Sequence, residues 1–418
     1  MRRPPSRQRN VFRQALCRAL LLIFLSLAKG VSAEVTMSVS GSYEILMQKG
    51  RAVLAEGAPA KSISYFSKAW RLLPTVPSAQ LAIAEAWAQA GQRRRADAFL
   101  RHLLADPKQK ENADLYLAAL SELARRYPFQ FSASFALLPS TNIKNTSSEP
   151  YFDTLWGRFS IEDGGKETSG VGVEAGAQLI YRRPISQEIR LELGSSLHRI
   201  WYPDPDLRYW RGRLSADLKS EGQTGSFRVG LHVVRTYYSD VKGPSPDRIS
   251  TGVHGVWSRR LSGVETLSAS GLIEYRDYFD KDTLSGRYGS LGLGWSKRTN
   301  SSSVMTLGGT LERSEPSLAY HRYWGASLRA GYNFDLSDSV RAGFDLDTKL
   351  RQYDTDFPSV DFARRDRINR IGVSFSSSRI KIMGSTPKLS CGYRVQTSNI
   401  ALYSSETTDC RIGWQYQF

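Results

Sequence analysis

The chain has 418 residues, with 57 Lys and Arg against 40 Asp and Glu, a formal charge of +17 and three cysteines. That length accommodates two or more domains, and three cysteines are too few for a disulfide-rich scaffold. Past the first residues no apolar stretch approaches the ~18 residues of a membrane-crossing helix, so any crossing must be made by a closed barrel of strands.

Residues 1–33 read as a secretory signal peptide. They carry seven basic residues (Arg2, Arg3, Arg7, Arg9, Arg13, Arg18, Lys29) and no acidic one, then an apolar run from Ala19 to Ala28 and the small-residue site Val31-Ser32-Ala33. Cys17 precedes the apolar run, which excludes a lipoprotein signal; a retained signal anchor is the alternative. Without these residues the charge is +10. A basic cytosolic protein would suggest nucleic acid, but export removes that partner. Basic loops against lipopolysaccharide, or a basic lumen facing acidic cargo, are expected instead.

From residue 34 to 127 the spacing of apolar residues is helical, and the segment repeats. Gly50, Val53, Gly57, Ser62, Phe66 and Ala69 recur 34 residues later as Ala84, Trp87, Gly91, Ala96, Leu100 and Leu103. Pro74 and Pro107 close the two units one residue out of step. Small and large apolar residues at these positions resemble the tetratricopeptide repeat, a 34-residue helix-turn-helix. Asn112 to Arg126 form a partial third unit that caps the stack. Arg93-Arg94-Arg95 is placed in the turn after Gly91, either as plain solvated surface or as a contact for an acidic partner.

From residue 128 to 418 the period changes to two. Phe129 to Leu137, Val171 to Tyr181, Phe227 to Val233 and Val340 to Thr348 alternate apolar and polar residues, between Gly, Ser, Asn, Asp and Pro clusters. In the last of these the polar face is Asp345, Asp347, Lys349 and Arg351, which needs water, as a lumen supplies. Such segments number about fourteen. Tight connections are expected near Pro184, Gly222, Gly263, Asn300, Ser337 and Gly384. Longer ones are expected around Asn145, Pro203, Pro244, Asp282, Glu315, Asp356 and Ile400. That alternation predicts a transmembrane antiparallel β-barrel behind a short α-helical domain, an α+β two-domain chain in the outer membrane of a Gram-negative cell. Aromatic clusters at Ile200 to Tyr202, Tyr209-Trp210, Tyr237-Tyr238 and Tyr275 to Phe279 are read as interfacial girdles. The final strand ends on Phe418, which resembles the signal read by the barrel assembly machinery. A soluble sandwich or propeller is the competing reading of the alternation.

Two cysteines follow the signal segment, Cys391 and Cys410, on strands either side of a loop near residue 400. Folding that hairpin about its centre puts them opposite each other on one face. A disulfide is expected in an oxidising compartment, with two buried thiols as the alternative. No catalytic, cofactor or metal set emerges. The five histidines are scattered, and Ser196 with His198 reads as ordinary lumen polarity. Asp345 and Asp347 read as a ladder neutralised by Lys349 and Arg351 on their own face.

Helical repeats fused to such a barrel resemble the surface lipoprotein assembly modulator family. The most specific local match is the run from Pro139 to Thr146, with Pro139, Asn142, Ile143 and Thr146 agreeing and Lys144 departing from the usual Asn. The Gly170-Val171-Gly172 run is similar too. The resemblance implies an outer-membrane translocon that carries lipoproteins or related secreted proteins outward, with its repeats in the periplasm. Its first outer loop, Leu138 to about Lys166, is a candidate gate. A polysaccharide-exporting barrel with repeats is the alternative. A diffusion porin is a weaker one, because the loop from Ser239 to Asp247 is short for a constriction.

Overall fold

A computed structural model describes residues 39–161, 167–238, 247–279, 281–300, 302–382 and 384–417. The signal segment, most of the loop from Ser239 to Asp247, and Phe418 lie outside the described residues. The chain parts into two compact units between Leu123 and Ala124, four residues ahead of the change of period.

The first unit contains helices α1 (residues 39–55), α2 (Pro59–Leu72), α3 (Pro77–Gln89), α4 (Arg93–Ala105) and α5 (Ala113–Arg126). Proline opens α2 and α3, where the missing N–H costs nothing and the fixed φ suits a helix start. Gly57 and Gly91 both hold φ +78°, a left-handed turn that glycine enters without strain. They join α1 to α2 and α3 to α4 at the same point of each pair. Phe66 and Ala69 pack fully buried with Met47, Ala79 and Ile83. A Cβ on Gly50 would run into the Phe66 ring, so only glycine lets the two helices meet. Ala84 and Ala96 are buried as well. Trp87 meets Phe99 edge-on at 5.0 Å. Arg93-Arg94-Arg95 is not a turn: Gly91 reverses the chain so sharply that α4 starts at Arg93, and Arg95 stacks over Trp87 at 4.8 Å.

Pro74 does more than end a helix. Its carbonyl accepts from Trp70 Nε1 (3.2 Å), Gln80 Nε2 (2.8 Å) and Gln109 Nε2 (3.1 Å). The amide oxygens of both glutamines then face the hydroxyl of fully buried Tyr116, 2.9 Å from that of Gln109. Pro107 opens the short 3-10 segment Pro107–Asn112, with the Asp106 side chain accepting from Lys108 N.

The second unit is a closed antiparallel barrel of fourteen strands. They are β1 (Phe129–Ser140), β4 (Gly170–Pro184), β5 (Ile189–Trp201), β6 (Tyr209–Glu221), β7 (Gly225–Tyr238), β8 (Arg248–Arg260) and β9 (Glu265–Tyr278). The circuit continues with β10 (Gly286–Arg298), β11 (Val304–Pro316), β12 (Tyr323–Ser337), β13 (Val340–Asp356), β14 (Ala363–Ser377), β15 (Lys388–Ser398) and β16 (Ser405–Gln417). A small hairpin, β2 (Tyr151–Thr154) and β3 (Gly157–Ser160), sits inside the first long loop. Each barrel strand pairs with its chain neighbour, and β1 closes the circle on β16. Leucines such as Leu291, Leu293 and Leu328 are about two-thirds exposed on the outer wall, as a lipid-facing surface requires.

Three details differ from the expectation. Glu315 and Asp356 belong to strand ends, because Glu315 stands opposite Arg287 of β10 and Asp356 opposite Ala363 of β14 in the ladders. The connection near Gly384 is not tight; it runs over residues 378–387. Ser385 Oγ donates to Gln415 O (2.7 Å), and Ile382 O accepts from Tyr416 (3.0 Å), covering the edge of β16 beyond the reach of β15. Only part of each aromatic cluster faces lipid. Trp201, Trp210, Tyr237 and Tyr275 are exposed, while Tyr209 and Tyr238 pair at 5.1 Å on the opposite face, since neighbours in a strand alternate. Cys391 and Cys410 stand directly across β15 and β16 on the outer face and are bonded, with Cα atoms 4.1 Å apart.

Candidate functional site

The polar face of the strands lines the lumen, where charge is neutralised across strands. Glu312 on β11 accepts from Lys349 Nζ and Arg351 Nε on β13, each at 3.2 Å, and from Tyr288 on β10 at 3.0 Å. Its side chain reaches them over Gly325 of β12, where a Cβ would come within 2.6 Å of Glu312 Cγ. Asp347 pairs with Arg329 at 3.0 Å, and Arg370 lies 4.0 Å from Asp345. The aspartates are therefore balanced by neighbouring strands and not by Lys349 and Arg351. Register sets Arg329 directly opposite Asp347, while Lys349 and Arg351 turn to Glu312 two strands away. Glu192 binds Arg190 (2.6 Å) and Arg228 (3.5 Å); Glu174 binds Arg411 and His198 (3.3 Å). His198 thus sits in the lumen with a carboxylate, and no contact joins it to Ser196 among the described residues.

His232 and His254 meet at Nδ1, 3.3 Å apart, and their Nε2 atoms face Glu274 (3.1 Å) and Asp217 (2.7 Å). No group of His, Cys, Asp or Glu among the described residues is arranged to hold a metal ion.

The outer half of the wall from β9 to β14 carries a second feature. Arginines stack on tyrosines there: Arg276 over Tyr288 (3.6 Å), Arg351 over Tyr323 (4.8 Å) and Arg364 over Tyr353 (4.7 Å). Arg364 also covers Tyr403 of the β15–β16 loop at 3.2 Å and binds Asp366 at 2.7 Å. Phe357 meets Tyr403 and Tyr320 edge-on. Burial and the nearby Arg364 charge push the imidazole of His321, in the β11–β12 loop, below its ordinary value. Sequence reading passed over this track. Its signal was available, since Tyr288, Tyr323 and Tyr353 occupy the polar beat of their strands.

The run from Pro139 to Thr146 is where β1 enters the first long loop. Asn142, 1 % exposed, organises it: Nδ2 donates to Thr146 O (2.9 Å), Glu167 Oε1 (3.3 Å) and Glu406 O (3.3 Å), and Oδ1 accepts from Thr146 N (3.1 Å). Pro139, which has no N–H to give, lies where the β1–β16 register is interrupted between Leu137 and Ser140. Ile143 packs over Gly170 of β4, where a Cβ would lie 3.1 Å from Ile143 Cδ1. Lys144 forms an ion pair with Asp204 of the β5–β6 loop at 2.8 Å, and its hydrogen bond holds the Asp204 carboxyl below the usual range. Asn145 accepts from luminal Arg394 at 2.8 Å. Beyond it, Ser147 Oγ donates to Ala401 O (2.8 Å), and in the hairpin Leu155 N donates to Ser359 O (2.8 Å). The loop is thereby fastened to β4, to the β15–β16 loop and to the β13–β14 loop.

Among solved structures, the chain is similar to the Pseudomonas putida toluene transporter TodX at 10% identity, over 69% of this chain and 89% of that one, with a TM-score of 0.36. It is also similar to OmpTdeltaL8 of Vibrio cholerae (8% identity, 69% and 99% covered, TM-score 0.38). A third is OmpF of Salmonella typhi (9%, 69% and 97%, TM-score 0.38). No curated protein matches the chain. A family model described as surface lipoprotein assembly modifier matches residues 129–418, the whole of the barrel. With a closed barrel whose outer wall is apolar and whose inner wall is charged, the chain belongs to the surface lipoprotein assembly modifier family and resides in the outer membrane.

Proposed function

We propose that the barrel moves lipoproteins, or related secreted protein cargo, from the periplasm to the cell surface. The observation that carries this reading is the family match over all fourteen strands. The lumen supports it: its charges are neutralised in pairs, and Arg211 and Arg213 face it without a carboxylate partner among the described residues. An acidic polypeptide segment suits such a wall. In this reading residues 1–33 direct export, the barrel assembly machinery inserts the strands, and the helical unit is a tetratricopeptide-like domain that receives cargo in the periplasm. The first barrel strand begins at Phe129, at the end of the barrel that carries the shorter turns.

The arginine–tyrosine track favours one competing reading, since stacked aromatic rings also suit a polysaccharide. One experiment separates them. A candidate lipoprotein is expressed with and without this protein, and its digestion by external protease is measured on intact cells. Digestion that depends on this protein is expected. Equal digestion in both strains, with the barrel folded and abundant, would overturn the reading for that cargo.

A further inference from the structure

The outer wall of β11 to β14 is apolar except near the end that carries the long loops. Cross-strand register places side chains there in rows. One row is Arg313, Trp324, Gln352 and Arg365; the next is Leu311, Ala326, Leu350 and Arg367. Below them come Gly309, Leu328, Thr348 and Asn369, then the wholly apolar Leu307, Ala330, Leu346 and Ile371. Trp324, Leu311, Leu328 and Leu350 are all more than half exposed, which fixes these rows on the lipid side.

The cations in this patch are not equivalent. Arg313 is held by Asp354 at 2.7 Å. Arg365 and Arg367 are exposed, and among the described residues no carboxylate pairs with either. A guanidinium facing hydrocarbon at or below the aromatic girdle is costly unless it meets an anion from the membrane itself. Beside Arg367 a groove of about 930 Å³, floored by small residues such as Ala269, Gly309 and Ala326, runs between Leu291, Leu311, Leu328 and Leu350. An apolar groove with a bidentate cation at its lip matches an amphiphile with acyl chains and a phosphate.

We infer that this face binds a phosphorylated, multiply acylated glycolipid of the outer leaflet, the lipid A part of lipopolysaccharide. Arg365 and Arg367 grip the phosphate, and the groove over Ala326 takes an acyl chain. The site needs only the outer-membrane location, so it stands or falls separately from cargo transport.

The test uses the full-length protein in detergent and three probes: bisphosphorylated hexa-acyl lipid A, the same lipid with its phosphates removed, and phosphatidylglycerol. Binding is read from Trp fluorescence or native mass spectrometry. Arg365→Gln with Arg367→Gln is expected to weaken binding of bisphosphorylated lipid A at least ~10-fold, and phosphate removal to do the same in the unaltered protein. Arg259→Gln, an exposed outward cation near the short-turn end of β8, is expected to bind as the unaltered protein does. Should the glutamine pair not fold, Arg365→Lys with Arg367→Lys keeps the charge but loses the fork, and a weakened affinity is again expected. Equal binding by the substituted and unaltered proteins would overturn the proposal. So would phosphatidylglycerol binding as tightly as lipid A, because the face would then read charge alone.

Discussion

Asn142→Ala should release the first outer loop. The side chain is 1 % exposed and makes two well-placed hydrogen bonds, at 2.9 and 3.1 Å, with two longer ones at 3.3 Å. Each good bond contributes ~1 kcal/mol net, and the Glu406 carbonyl loses a donor, for a total of roughly 2–3 kcal/mol. At ~1.4 kcal/mol per factor of ten, the open population of the loop rises roughly 30- to 140-fold. Trypsin reports that population at Arg158, in the β2–β3 hairpin, since cleavage follows the opened fraction when opening is fast. Cleavage at Arg158 is expected to accelerate by that factor, and if the loop gates the lumen, single-channel conductance should rise with it. Acid should act in the same direction. Lys144 depresses the Asp204 pKa, so this clasp stabilises the loop above the unfolded carboxyl value and is lost as pH falls through the folded one. A cleavage rate within about threefold of the unaltered protein, with the barrel intact, would refute the reasoning.

Gly325→Leu should drive Glu312 away from Lys349 and Arg351, because even a Cβ would lie 2.6 Å from Glu312 Cγ. The Glu312 side chain is 6% exposed and the two cations 26%, so the loss is roughly 2–4 kcal/mol, short of the ~3–5 of a wholly buried pair. It is measured as earlier unfolding of the barrel, followed by the mobility of unheated samples on a denaturing gel. In the helical unit, burial raises the Tyr116 hydroxyl from 10.0 to about 12. Its stabilisation is therefore complete below pH 10 and lost as pH rises through 12, and helix melting followed at 222 nm should fall over that window. Tyr116→Phe should abolish this step and cost roughly 1–3 kcal/mol by leaving the buried Gln80 amide oxygen without its Tyr116 donor; an alkaline step that survives in the phenylalanine variant would show that another group titrates.

Two periodicities carried most of the architecture. A 34-residue recurrence announced paired helices, and the equal left-handed φ of Gly57 and Gly91 is its local expression. A period of two, with turn residues between segments, announced a barrel, because alternation fixes which residues face lipid and which face water. These signals are local, so they survive in one dimension. Arg95 against Trp87, and the inward Tyr209 and Tyr238, were misplaced for the same reason: both depend on where an element begins or on which beat a residue falls.

What a linear reading missed depends on which strands lie side by side. Asp345 and Asp347 looked balanced by Lys349 and Arg351 on their own strand. The folded chain gives those cations to Glu312, thirty-seven residues from one and thirty-nine from the other, over a glycine on the strand between. Asn142 was singled out by a resemblance, yet its role needs the Glu406 carbonyl 264 residues away. By itself, then, the sequence determined the helical unit, the barrel and the two faces of each strand, through periodicities that hydrophobic burial imposes within a few residues. The pairing of luminal charges, the stacking of arginines on tyrosines and the fastening of the outer loop were decided only in the tertiary structure. Register and barrel closure bring those groups within hydrogen-bonding distance, and neither is written in any one strand.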